Sequence, residues 1–108
     1  MVTENEETAV ETKREPVYLA VDIETLGQFV GKNPMIAVGM VLMNEKREIL
    51  DEIDVYLKEE HFKREPRCMD EFWGTRQKLL SEIHSKSVYA MSAMETLDAW
   101  LTSVECKH

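Results

Sequence analysis

Hydrophobic and polar positions divide the chain into three apolar runs followed by two stretches of helical period. Val17-Tyr18-Leu19-Ala20-Val21 is continuously apolar and leads into Asp22-Ile23-Glu24. Its length and its β-branched and aromatic content predict a strand over Val17–Glu24, buried on both faces. Thr25 to Pro34 holds Gly27, Gly31, Asn33 and Pro34, which is loop chemistry. Met35 to Met43 is a second apolar strand, and Gly39 inside it marks a bulge or a close backbone approach. Asn44 to Arg47 is a polar turn. In Glu48 to Leu57 the residues Ile49, Ile53, Val55 and Leu57 share one parity, while Glu48, Glu52 and Asp54 share the other. That alternation predicts a half-exposed outer strand. Two short connections between three strands imply an antiparallel meander. After Pro66 the period changes. Met69, Phe72, Trp73, Arg76, Leu79, Leu80 and Ile83 recur at helical spacing, which predicts one helix. A last helix is expected from Ser92, whose spacing to Glu95 is that of a capping box. Residues 1–16 are acidic and polar with little apolar surface, and read as a disordered tail.

At 108 residues the chain holds one domain. Its formal net charge of −8 argues against a basic, salt-driven coat for nucleic acid. It leaves room for an enzyme that grips a few nucleotides through metals. No apolar run reaches the ~20 residues that span a bilayer, and the acidic N-terminus resembles no targeting signal. Cys68 and Cys106 form no CxxC motif and are expected as free thiols of a reducing, cytoplasmic compartment.

The chemically specific feature is Asp22-Ile23-Glu24. Side chains alternate across a strand, so both carboxylates face the same side, about 6–7 Å apart along the chain. They repel one another and are costly to desolvate singly. A hard divalent cation relieves both penalties. A solvated strand end without a ligand is the plain alternative. His61, His84 and His108 have no ligand partners at recognisable spacing. Lys58, Lys63, Arg64 and Arg67 alternate with Glu59, Glu60 and Glu65 and read as a mixed, solvated loop.

The apolar strand ending Asp22-Ile23-Glu24-Thr25, then Leu26-Gly27, a loop, and a strand reading Ile36-Ala37-Val38-Gly39, resembles the N-terminal part of the DEDD 3′–5′ exonucleases of the ribonuclease-H-like fold. Phe72-Trp73 followed by Arg76-Gln77 is similar to the phage and bacterial exoribonuclease-type branch. The resemblance implies an α/β fold, truncated to a three-stranded antiparallel meander followed by two helices over residues 17–108. It implies two-metal hydrolysis of terminal phosphodiesters of single-stranded DNA or RNA, with Mg²⁺ or Mn²⁺. Asp22 would bridge both metals, and Glu24 would hold the one carrying the nucleophilic water. The backbone at Thr25 and Leu26 would meet the 3′ nucleotide, with Leu26 wedging beside its base. Gly27 would let the backbone approach the nucleic acid. The family's second and third acidic motifs have no counterpart here, and His108 lies about where a fourth strand would begin. The resemblance therefore covers the first half of an exonuclease domain, either as an incomplete enzyme or as an inactive remnant serving as a binding or dimerisation module. In the family the first strand is central. Here it becomes an edge, expected to pair with a second copy, aggregate or await a complementing segment.

Overall fold

The computed structural model describes residues 15–108, so the expected tail lies almost wholly outside the described residues. Three strands, β1 (Val17–Thr25), β2 (Met35–Asn44) and β3 (Ile49–Tyr56), form an antiparallel sheet in the order β1-β2-β3. Three helices follow, α1 (Pro66–Glu71), α2 (Gln77–Lys86) and α3 (Ala90–Lys107), with a 3-10 turn at Trp73–Thr75 between the first two. The α/β meander followed by helices is therefore present.

Both faces of the sheet carry helices, but neither layer reaches across it. Val38, Val55 and Leu57 pack against Ala93 and Leu97, which seats α3 over β2 and β3. Trp100 Nε1 donates to Asp51 Oδ1 at 3.2 Å on that same side. A second cluster gathers Leu26, Ile36, Trp73, Leu80 and Ile83 at the loop end of the sheet. Expected burial of β1 on both faces is not met. Tyr18 and Val21 are each 55% exposed and Ile23 is 48% exposed. The reason is lateral: β1 pairs only with β2, and α3 stands over the far side of the sheet.

Two further expectations are corrected. The single helix through Met69–Ile83 is broken at Phe72–Arg76, where Arg76 leaves helical geometry (φ −127°, ψ 36°). The break turns the Trp73 ring fully into the core, with Nε1 donating to Thr25 O at 2.9 Å. A continuous helix here would include Gly74, a weak helix former. The last helix begins at Ala90 rather than Ser92, and its N-cap Tyr89 makes no side-chain bond. Val88 forms a parallel bridge with Leu57, its N–H donating to Tyr56 O at 2.9 Å. The chain turns into α3 as soon as that bridge ends.

The outer strand follows its expected parity with one exception. The register shifts between Leu42 and Met43, so Leu50 is an extra residue and Ile49 pairs with Met43. That bulge moves Ile49 off the parity of Ile53 and Val55 and leaves it exposed.

Candidate active site

Asp22 and Glu24 lie on the last turn of alternation in β1 and point to the face opposite α3. With Asp54, Phe72, Arg76 and Tyr56 they line a cavity of about 440 Å³ on that face. The strand register explains the grouping. Asp22 is opposite Gly39, which is opposite Asp54, and Glu24 is opposite Ala37, which is opposite Tyr56. Strands lie about 4.8 Å apart, so Asp22 and Asp54 are about 10 Å apart across the sheet. Nothing rises between them, because the intervening residue has no side chain.

That glycine leaves room for the Asp54 carboxylate. A Cβ on Gly39 would stand 2.7 Å from Asp54 Oδ1, so the Asp54 carboxylate leans over β2 toward Asp22. Of the two readings of Gly39 from the sequence, close approach holds. The approaching group is a side chain from the third strand. No register shift occurs at Gly39. Asp54 was legible as a polar-parity residue of β3, but its alignment with Asp22 needs the register, which the sequence does not supply.

The segment after the carboxylates is rigidly held. Thr25 O accepts from Trp73 Nε1, and the Cys68 thiol lies 3.9 Å from the same oxygen. Leu26 N donates to Pro34 O at 2.9 Å, and Leu26 O accepts from Glu65 N at 2.8 Å. Leu26 has no exposed surface and packs in the Trp73 cluster. It is not available to wedge beside a base: anchored on both sides by its backbone, its side chain goes into the core. Gly27 is buried too. A Cβ there would fall 2.2 Å from Asn33 Cγ, so the close approach that Gly27 permits is to Asn33. Asn33 in turn accepts from Phe29 N and donates to Lys63 O, tying the two loops together. Thr25, Gly27 and Gln28 line a second cavity with Cys68, Glu71 and Phe72. Phe72 borders both cavities.

Arg76 lines the cavity on the carboxylate face, and Lys86 lies over the Tyr56 ring of the same face. The Arg76 guanidinium carbon stacks 4.0 Å from the Phe72 ring centroid, and Nη1 donates to Phe72 O. Both residues belong to the helical pattern of the sequence, but the broken helix is what lets them border the cavity. Elsewhere, Glu59 accepts two bonds of 2.7 Å from Arg64 and lies 2.8 Å from His84 Nε2. The Arg64 guanidinium holds the Glu59 carboxyl below its ordinary range, against the opposing effect of burial. Arg67 pairs with Glu71, and Lys58 lies over the Tyr89 ring, in keeping with a mixed loop. Burial and the nearby Glu65 charge push the Cys68 thiol up.

Among the described residues no three His, Cys, Asp or Glu side chains converge closely enough to hold a metal ion. Asp22 and Glu24 are therefore joined by no third such side chain among the described residues. No helix among those residues is long and apolar enough to cross a membrane. No protein-family model, curated protein or solved structure matches the chain.

Proposed function

We propose that the chain carries the first acidic motif of a ribonuclease-H-like, metal-dependent 3′–5′ exonuclease domain acting on single-stranded DNA or RNA. The observation that carries this reading is the placement of Asp22 and Glu24 together on one open sheet face, at the end of the first strand, beside Asp54 and Arg76. The meander with the acidic strand first is the arrangement that the sequence resemblance implies. Hard carboxylate oxygens suit Mg²⁺ or Mn²⁺, which keep several waters and take few protein ligands. Bound there, such ions supply charge neutralisation and activated water for phosphodiester hydrolysis. Asp22 and Glu24 would hold them from the sheet side, and the remaining positions would fall to water or substrate phosphate. Arg76, stacked on Phe72, presents a fixed cation at the cavity wall where a phosphate can be met. The exposed part of the Phe72 ring offers a base-stacking surface between the two cavities.

A second reading, an inactive remnant that keeps the fold as a binding module, is favoured by the absence of a third convergent ligand among the described residues. One assay separates the two. Purified chain is incubated with Mn²⁺ and 5′-labelled or 3′-labelled single strands of DNA and RNA, beside Asp22→Ala. The exonuclease reading expects stepwise loss from the 3′ end, reduced at least 100-fold in the variant, on the order of the mutational losses seen for groups that stabilise transition-state charge. Equal nucleolysis by both proteins, or none by a folded wild type, supports the remnant.

A further inference from the structure

The outer edge of β1 has no strand beside it among the described residues. Half of its backbone N–H and C=O groups therefore point away from β2, and only another strand can satisfy such a row in register. The side chains along this edge define what that strand must look like. Val17, Leu19, Val21 and Ile23 are exposed on the α3 side, and Tyr18 on the carboxylate side. Val17 and Leu19 also form one wall of an apolar groove with Leu42, Leu101 and Val104. The occupant must therefore be apolar on the α3 side over about seven residues, while the other side, with Tyr18, Ala20 and Asp22, is mixed.

We propose that the occupant is β1 of a second copy, paired antiparallel about a two-fold axis at Ala20 to give a continuous six-stranded sheet. A two-fold axis perpendicular to the sheet keeps like faces together and closes the assembly. In this register Val17 lies opposite Ile23 of the other copy, Leu19 opposite Val21, and Ala20 opposite itself. Every pair is apolar except Tyr18 with Asp22. The antiparallel direction also carries the two acidic ends apart. The two Asp22 positions are four residues apart along the strands, about 13 Å, beyond the ~8 Å screening length of physiological salt. Pairing β1 with the outer edge of β3 is disfavoured by charge. Glu52 and Asp54 would share a face with Asp22 and Glu24, and the head-to-tail contact would not close. The groove gains a second wall, because Val21 and Ile23 of the other copy come to lie beside Leu19 and Val17.

This inference rests on the edge geometry and not on the exonuclease reading, under which a further strand of the same domain would compete for this edge. Its test is light scattering after size exclusion over loading concentrations from about 5 to about 200 µM, with hydrogen exchange of the Val17–Ile23 amides at both ends of the range. The expected result is a species of twice the 12.6 kDa chain mass, with β1 exchange slowing several-fold as the dimer forms. Leu19→Lys with Val21→Lys should return a monomer with unchanged circular dichroism. A monomer at every concentration overturns the proposal, whether the β1 amides are open or are protected by the chain's own residues. So does a dimer whose dissociation leaves β1 exchange unchanged. The exchange measurement decides the matter on the wild type even if the variant does not fold.

Discussion

Gly27 and Gly39 each give room to a side chain from another part of the chain, and neither has a positive φ. At Gly27 the neighbour is Asn33, whose amide spans two loops through bonds of 3.0 Å from Phe29 N and 2.9 Å to Lys63 O. Gly27→Ala cannot be accommodated unless that amide moves and gives up both bonds. At about 1 kcal/mol net per hydrogen bond, the expected loss is about 1–3 kcal/mol, measured as a shift in the urea unfolding midpoint. Asn33→Ala with Gly27→Ala relieves only part of the clash, since the Cβ at position 33 would itself stand 2.7 Å from the new methyl. An unchanged midpoint in Gly27→Ala would show that Asn33 is not held as described. The sequence made these glycines visible as special positions but could not say what approached them. Asn33 and Asp54 reach them from other elements, and only the register and loop geometry make those meetings.

The element scale shows where pattern reading succeeds. β2 and β3 are long, their apolar positions alternate or run on, and a short polar turn joins them, so local signals agree with the fold. The helical segment misleads because the period at Met69–Ile83 is continuous while the chain is not. A buried Trp73 and its bond to Thr25 O outweigh the propensity for one helix. Leu26 misleads for a similar reason: a resemblance assigns a position, but core packing decides which way the side chain goes. The loop from Lys58 to Glu65 is tied to α2 by Glu59, shared between Arg64 and His84. Glu59 titrates below its ordinary value of 4.5 in the folded state. A carboxylate with a depressed folded pKa stabilises the fold at pH above that ordinary value. The contribution falls away as pH drops through the folded value. Wild type should therefore exceed Glu59→Gln in stability at pH 6–7, with the difference shrinking below about pH 4.5. The Glu59 side chain is 22% exposed, so solvent screens the effect only in part. Chemical denaturation of both proteins across that range checks it. A difference that stays constant down to the acid limit would contradict the assignment.

At the scale of the whole molecule, one asymmetry organises the rest. Helices cover β2, β3 and the loop end of the sheet, and leave most of β1 exposed. The strand that carries the two sequence-legible carboxylates is thus also the one that lacks a lateral neighbour. Position at an edge and chemistry on a face are separate properties of that strand. The six-stranded pairing would satisfy the edge while leaving the carboxylate face open to substrate.

The central claim is that Asp22, Glu24 and the Asp54 side of Gly39 form a face that takes a divalent cation. Its most direct test is Mn²⁺ titration of the ¹⁵N-labelled chain, following paramagnetic broadening of each amide. The account predicts that Asp22, Glu24, Gly39 and Asp54 broaden first, and that Asp22→Asn with Glu24→Gln removes the local effect while the rest of the spectrum is retained. Broadening spread evenly over the acidic surface, or unchanged in the double variant, would contradict it.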